Sequence, residues 1–459
     1  MQINPQIFRE YDIRGTVDRD LSPEFARLLG RAFGTLVREN GKNNIAIGFD
    51  CRHSSKPYAQ AFAEGLAAEG VDAQITGMGP TPQLYFATYH RKLGGGVQIT
   101  GSHNPPDMNG FKMCLGTQTL SGEQIQDLKR RVLALNDKPA AATTKGRISE
   151  QPIRDEYIRD LIANSKPHMG QKKLKVVVDA GNGVGGLVGP EVLRALGVEV
   201  IELYCEPDGN FPNHHPDPTV LENIQDLIKK VRETGADLGI GWDGDADRIG
   251  VVDEKGQVIF GDMLLLIYAR DILRQVPGAT IIGDVKCSSR LFDDISKRGG
   301  EAIMWKTGHS LIKNKLKEIN AELGGEMSGH IAFGHRFYGF DDALYSTSRF
   351  VEIASHATAP VSQYLADLPA MVATPEIRLD CPEEFKFRIA QEAQKAFPEY
   401  KTNIIDGVRV EFERGWALVR ASNTQPILVM RFEAASEKLL EDYRRLVVDR
   451  IEKIKASLR

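Results

Sequence analysis

Three times along the chain an apolar run ends in aspartate and a turn of small residues, and this repeat limits the fold more than any other feature. The runs are Ile45-Ala-Ile-Gly-Phe-Asp50, Val176-Val-Val-Asp179 and Ile281-Ile-Gly-Asp284. Each is followed by a helix-length stretch closing on glycine, at Gly70, Gly197 and Gly299, and then by a second apolar run, at 72–75, 198–203 and 302–305. Strand, helix and strand alternating at these lengths predict parallel βαβ units with right-handed crossovers, and such sheets bind ligands at the C-terminal ends of their strands. The C-terminal part differs. There 408–413 and 416–420 flank Arg414-Gly415 as a hairpin, 427–432 reads as a further strand, and an amphipathic helix over 437–457 closes the chain, a pattern of antiparallel α+β structure. The predicted fold class is therefore α/β: three tandem mixed α/β domains of similar topology plus a C-terminal antiparallel α+β domain around one central cleft. Turns at Lys145-Gly146, Asp253–Gly256 and Asp367–Pro369 place the limits at 1–147, 148–255, 256–367 and 368–459.

Each unit delivers one polar loop, and the three loops differ in chemistry. In the first, Val97-Gln-Ile-Thr-Gly-Ser102-His103-Asn-Pro-Pro runs a β-branched strand into a turn, so Ser102 is presented at a strand end. His103 beside it and Lys112 further on are able to move a proton or neutralise an oxyanion, which suits a serine that carries a group. An ordinary serine turn accounts for the same residues equally well. In the second loop, Asp243-Gly-Asp245-Ala-Asp247-Arg248 places three carboxylates at alternate positions between two apolar runs. Like charges so close are costly without a cation among them, and hard oxygen ligands with no Cys or His nearby favour Mg²⁺ over zinc or copper. A calcium EF-hand fails because Arg248 stands where the loop needs glycine and both flanks read as strand; a solvated acidic turn remains the alternative.

The third loop is Gly325-Glu326-Met327-Ser328-Gly329-His330. If extended, it turns Glu326 and Ser328 to one side, where a carboxylate and a hydroxyl suit adjacent sugar hydroxyls, although such pairs are frequent in plain loops. In the C-terminal part Arg420, Ser422, Asn423 and Thr424 form a fork of donors and hydroxyls suited to a dianionic phosphate, or else a polar hairpin connection.

Together the serine turn and acidic triplet make the chain resemble the α-D-phosphohexomutase superfamily, most closely its bacterial phosphomannomutase/phosphoglucomutase branch. The likeness covers the whole length and rests on five stretches in the family's order: Tyr11-Asp-Ile-Arg14-Gly15, Thr100–Pro106, Asp243–Arg248, Gly325–His330 and Arg420–Pro426. The resemblance implies that Ser102 is stored as phosphoserine and that Mg²⁺ bridges Ser102, Asp243, Asp245 and Asp247. It further implies that Glu326 and Ser328 hold the sugar, while Arg420, Ser422, Asn423, Thr424 and Gln425 hold its non-reacting phosphate. Tyr11 and Arg14 fall over the substrate and phosphoserine, and His103, Lys112, Arg248, Lys286, His309 and His330 fall around the transferring group. The implied reaction interconverts hexose 6-phosphate and hexose 1-phosphate, of mannose and/or glucose, with a hexose 1,6-bisphosphate as intermediate and activator. Phosphoserine brings about −2 and three aspartates about −3, so Mg²⁺ leaves about −3, and Arg14, Lys112, Arg248 and Lys286 answer that charge. The triplet Glu326-Met327-Ser328 resembles branches that accept both sugars; glucosamine-specific relatives carry Gln in place of Met327, so a phosphoglucosamine mutase is the alternative. Gln425 departs from the family's pattern.

Two readings from other classes stand beside this one. A haloacid-dehalogenase-type phosphatase would use Asp243 as nucleophile and Asp245 as acid/base but leaves Ser102-His103-Asn104 and the repeat unexplained. A non-catalytic sugar-phosphate sensor would keep the clamp without turnover. Composition narrows the partners to small molecules: 459 residues, 42% hydrophobic and 26% charged with net charge −4, carry no basic run for nucleic acid or a membrane surface. Five scattered cysteines, at 51, 114, 205, 287 and 381, lack metal-site spacing and suit a reducing cytoplasm. The first residues show no basic-then-apolar leader, and the longest apolar stretch, 263–269, is too short to span a bilayer. The expectation is a cytoplasmic enzyme, monomer or weak dimer.

Overall fold

The structure, a computed structural model, describes residues 1–137, 145–422 and 427–458. In the first unit Asn44–Phe49 runs parallel to both Asp72–Met78 and Gly95–Ile99, and Gly95–Ile99 then pairs antiparallel with Met108–Leu115. Ile13–Thr16 adds to the far edge of Met108–Leu115. The second unit repeats the plan, with Lys175–Asp179 between Glu199–Leu203 and Leu238–Trp242 and with Ile249–Asp253 reversing direction. The third repeats it again, with Thr280–Asp284 between Glu301–Trp305 and Leu323–Gly325 and with Ile331–Phe333 as the reversing strand.

The predicted βαβ units are thus present, and the fourth, reversing strand explains why the loops carry the chemistry. In every unit the polar loop joins the last parallel strand to its antiparallel neighbour, so it emerges at the strands' C-terminal end. The central strands are buried on both faces, as Val176, Val177 and Val178 show, which is why they read as unbroken apolar runs. Helices Ser55–Ala68, Gly189–Ala195 and Ser289–Lys297 end before Gly70, Gly197 and Gly299, whose φ values of 75, 87 and 80° need a residue without a Cβ.

Two sheets extend past the expected limits. Ile148–Glu150 pairs parallel with Asp72–Met78, so the first unit continues to residue 150 rather than 147. Its Gly146 is not a free linker: a Cβ there would lie 2.2 Å from the Val71 carbonyl oxygen. Gly256, taken as a limit, is instead the turn of a hairpin between Ile249–Asp253 and Val258–Ile259, and the second unit runs to 259.

The first three units share one continuous core that includes Phe86, Tyr157, Trp242, Tyr268, Phe333 and Phe350. Helix Thr81–His90, buried from Thr81 through Thr88, contributes to that core and links the first unit to the second. The C-terminal sheet is antiparallel, in the order Val372–Ala373, Ile427–Ala434, Gly415–Ala421, Val408–Phe412, Lys401–Asn403. Helices Glu383–Ala393 and Glu437–Leu458 pack on it through Ile389, Val447 and Ile451. It is seated on the third unit. Trp416 is fully buried against Val285, and Arg409 lies 3.7 Å from the Trp416 ring centroid while its Nη1 donates to the carbonyls of Val285 (2.8 Å) and Cys287 (2.7 Å). Among the described residues no helix is long and apolar enough to cross a membrane.

Candidate active site

Ser102 has φ of 48°, in the left-handed region, and is buried. Its Oγ donates to Asp243 Oδ2 at 2.7 Å and lies 3.1 Å from His103 Nδ1. The serine and acidic loops touch so closely that a Cβ on Gly244 would come within 2.5 Å of the Ser102 carbonyl oxygen, so only glycine fits there. Burial, followed by the charges of Arg248, Arg14 and Lys112, pushes the His103 pKa well below the ordinary imidazole value, leaving a neutral ring beside the hydroxyl.

Asp243, Asp245 and Asp247 are wholly buried and offer oxygens within 4.8 Å of one another. Lys112 Nζ donates to Asp245 Oδ2 at 2.7 Å and to Asp247 Oδ2 at 2.5 Å. Burial alone would lower the lysine's pKa, but these carboxylates outweigh it and hold the ammonium above its usual range. Asp243 is pushed well up by burial and then by Asp245 and Asp247. Asp247 is held well down, because Lys112 and His330 outweigh its burial. Asp245 Oδ1 is buried with no hydrogen-bond partner among the described residues, and such a carboxylate oxygen within a ring of carboxylates fits a hard divalent cation.

A second group able to hold a metal, Asp247, His309, His330 and Asp341, is instead closed by its own ion pairs. His330 Nδ1 is 2.9 Å from Glu326 Oε2 and its Nε2 3.3 Å from Asp247 Oδ1. His309 Nδ1 is 3.0 Å from Asp341 Oδ2, and Lys313 Nζ is 2.7 Å from Asp341 Oδ1. The rings of His309 and His330 stack with centroids 5.0 Å apart. Burial and Arg248 work to lower the His330 pKa, but Asp247 and Glu326 carry it up to about 9. His309 goes the other way, lowered by burial and Lys313.

The third loop is not extended. Gly329 N bonds back to the Glu326 carbonyl at 3.0 Å, making a turn, so Glu326 and Ser328 do not present themselves side by side as strand alternation predicts. The buried Glu326 carboxylate points inward, accepting from Gly308 N at 2.6 Å and pairing with His330; despite burial, His330 and then the charges of Lys286 and His309 lower its pKa to about 2. Ser328 Oγ is 3.2 Å from His330 Nδ1. The second and third loops are stitched by a backbone bridge between Arg248 and His330 and by Ile249 N donating to the Gly329 carbonyl at 3.1 Å. Tyr11 OH donates to the Thr307 carbonyl at 2.9 Å, tying the first unit to the third, and Arg14 Nε donates to Asp12 Oδ2 at 2.6 Å.

On the fourth wall Arg420 is buried at the end of strand Gly415–Ala421, with Nε donating to Asp406 Oδ2 at 3.0 Å. The same Asp406 oxygen accepts from Thr307 N at 3.0 Å. Lys286 Nζ pairs with Glu376 at 3.4 Å, and the Lys286 carbonyl accepts from Arg431. Ser422 is buried nearby in sequence; Asn423, Thr424 and Gln425 lie outside the described residues. The structure thus brings Ser102, His103, Lys112, the three aspartates, Arg248, Glu326, His309 and His330 into one connected cluster. Lys286 and Arg420 stand on the side facing the C-terminal sheet. Sequence reasoning missed Thr81, whose Oγ1 donates to Asp245 Oδ2 at 2.5 Å across 164 positions, and Asp341, Glu376 and Asp406, which stand in no motif.

Three α/β units of one topology, with their reversing-strand loops meeting beside a fourth antiparallel module, define a four-domain enzyme built around a buried anionic centre. Family models for phosphoglucomutase/phosphomannomutase describe the same four parts: α/β/α domain I matches residues 5–138, domain II 155–256, domain III 260–372 and the C-terminal domain 376–450. A phosphomannomutase/phosphoglucomutase of Pseudomonas putida is 48% identical over 95% of this chain and 93% of its own. A phosphoglucomutase of Neisseria gonorrhoeae is 45% identical over 96% and 95%. The crystal structure of a phosphoglucomutase/phosphomannomutase family protein from Burkholderia thailandensis is 41% identical, covers 99% of this chain and 98% of its own, and superposes with a TM-score of 0.92. The chain belongs to the phosphoglucomutase/phosphomannomutase family, within the α-D-phosphohexomutase superfamily.

Proposed function

We propose that this enzyme interconverts the 6- and 1-phosphates of mannose and glucose through phosphorylated Ser102. The observation that carries the reading is the left-handed Ser102, its Oγ 2.7 Å from Asp243 with Lys112 spanning the other two aspartates. In the first half-reaction the phosphoryl group leaves Ser102 Oγ for the free hydroxyl of the bound monophosphate, giving a hexose 1,6-bisphosphate. The sugar then turns over in the cleft, and its other phosphoryl group returns to Ser102 Oγ.

Asp243, Asp245, Asp247 and the serine oxygen would hold Mg²⁺, which when bound supplies positive charge to the phosphoryl oxygens. Arg14, Lys112, Arg248 and Lys286 draw off the charge that develops as the group passes between oxygens, so catalysis is mainly positioning and electrostatics. His330, with a pKa near 9, is a cation at neutral pH. His309, lowered by burial, is the neutral imidazole able to accept the sugar hydroxyl's proton. Arg420, with Ser422, Asn423, Thr424 and Gln425, would grip the distal phosphate, and Glu326, Ser328 and Tyr11 the sugar. Relatives named for both activities support the pair of sugars, and Met327 stands where glucosamine-specific members carry Gln.

The test is intact-mass analysis of purified protein after treatment with glucose 1,6-bisphosphate. One phosphoryl group on Ser102 is expected, with Ser102→Ala unlabelled and turnover lowered by ~10³-fold or more. An unlabelled, fully active parent would remove the carrier role and favour the aspartate-nucleophile reading.

A further inference from the structure

The repeat that organises the chain places an aspartate at the end of each central strand, and in the first unit that residue leads to an arginine with no role in the reaction as described. Asp50 and Arg52 are buried to within 1% and 2% of full enclosure. The Arg52 guanidinium lies flat beneath the serine loop: a Cβ on Gly101 would come within 2.5 Å of its Cζ. Nη2 donates to the carbonyls of Ser102 (2.8 Å) and Asn104 (2.6 Å), and Nη1 to those of Pro105 (2.5 Å) and Met108 (2.9 Å). Nε is left for Asp50 Oδ2 at 3.2 Å, and the far face of the guanidinium covers Phe211 at 5.0 Å.

Asp50 completes the frame. Its Oδ2 also accepts from Thr100 Oγ1 at 2.7 Å and Gly101 N at 3.2 Å, while Thr100 Oγ1 accepts from Ser102 N at 2.8 Å. Both peptide groups of Ser102 are therefore held by this one assembly, its N–H through Thr100 and its carbonyl through Arg52. A non-glycine residue in the left-handed region is strained and persists only where its surroundings over-determine it. Four carbonyls turned toward one buried cation are such surroundings. A lysine could not replace the planar fork, since a point ammonium has three donors and cannot span four acceptors in a plane.

We propose that Arg52, oriented by Asp50, is a positioning residue that fixes Ser102 in the conformation from which its oxygen meets both Asp243 and the transferring phosphoryl group. This rests on the phosphoserine reading above. Because the sugar and distal-phosphate contacts lie outside the serine loop that Arg52 holds, loss of Arg52 should slow phosphoryl transfer and leave sugar affinity in place. Arg52→Lys should lower kcat by ~10²-fold, the scale of an ångström-level misplacement, with KM for the hexose phosphate within about threefold of the parent. The rate at which glucose 1,6-bisphosphate loads Ser102, followed by intact mass, should fall by the same factor. Should Arg52→Lys fail to fold, Thr100→Val removes only the link from Asp50 to the Ser102 N–H and should show the same kcat-only signature more weakly. A folded Arg52→Lys that loads Ser102 at the parental rate, or whose defect lies in KM, overturns the inference. A parent that never loads Ser102 overturns the phosphoserine reading instead.

Discussion

Lys112 is the internal counterion of the acidic loop, and replacing it with methionine isolates that role. Its ammonium is almost fully enclosed and spans two wholly buried carboxylates at 2.7 and 2.5 Å. Methionine matches the stem in length and shape, so little cavity results, but three carboxylates are left facing one another without their cation. Removing one partner of a buried ion pair costs about 3–5 kcal/mol. At about 2–4 °C per kcal/mol for a cooperative unit of this size, the metal-free variant should melt about 6–20 °C below the metal-free parent. If the aspartates hold Mg²⁺, the ion replaces the lost charge, and saturating Mg²⁺ should close at least half of that gap. Without Lys112 the Asp247 carboxyl loses the first of the charges that hold its pKa down. In the variant its folded pKa rises toward or above the unfolded value, so stability is lost as pH rises and the gap should be narrower at pH 5 than at pH 8. Differential scanning fluorimetry in EDTA and in Mg²⁺ measures all three. Equal melting temperatures in EDTA, or a gap that Mg²⁺ leaves unchanged, would refute the reasoning.

Arg420→Lys should raise KM for mannose 1-phosphate and glucose 1-phosphate by a similar factor, because the planar fork becomes a point charge while the sugar contacts stay; steady-state kinetics on both decide it, and a defect confined to one sugar would assign Arg420 to discrimination. His330, raised to about 9 from 6.5, contributes stability that is fully present below pH 6.5 and lost as pH rises through 9, whereas Glu326, lowered to about 2 from 4.5, contributes stability present above pH 4.5 and lost as pH falls through 2. His330→Gln in metal-free protein should therefore flatten the fall in melting temperature between pH 6.5 and 9, and a variant that keeps the parental slope would show that the pair is not formed.

What the sequence disclosed was what is local. The βαβ repeat was legible because doubly buried strands are written as runs such as Val176-Val-Val and because each intervening helix stops at a glycine that must be left-handed. The three reversing-strand loops were legible because each concentrates its chemistry within a few residues. Edge strands were not: Ile148–Glu150 is three residues of largely exposed side chains, and Val258–Ile259 only two, so neither leaves a pattern to count. The turn at Glu326, which the sequence left conditional, is not legible locally because the group that draws its carboxylate inward, the Gly308 amide, comes from another loop. Thr81, Asp341 and Asp406 stayed invisible for the same reason. Each acts across 14 to 164 positions on a partner that only the folded chain brings near.

The charges show why these units work only as an assembly. The second unit carries Asp243, Asp245 and Asp247 in full burial, and the cations that offset them come largely from outside it: Lys112 from the first unit and His330 from the third. Its own Arg248 adds to the balance from beside the His330 ring, its Nε 3.2 Å from the His330 Nε2, where the two cations oppose one another. Buried carboxylates so close together cannot all remain ionised in a unit standing alone; they would protonate or open to water. The continuous core across the first three units keeps that from happening, by holding the units that carry Lys112 and His330 against the acidic loop. The proposed reaction would then add what this cluster is not built to balance, a phosphoryl dianion on Ser102. The cations not spent on the aspartates, Arg14 on the first unit and Lys286 and Arg420 on the C-terminal side, pair instead with Asp12, Glu376 and Asp406. Under the proposed function those carboxylates would occupy the phosphate-binding cations until an anionic substrate displaced them, so that binding would exchange one set of ion pairs for another instead of desolvating bare charge.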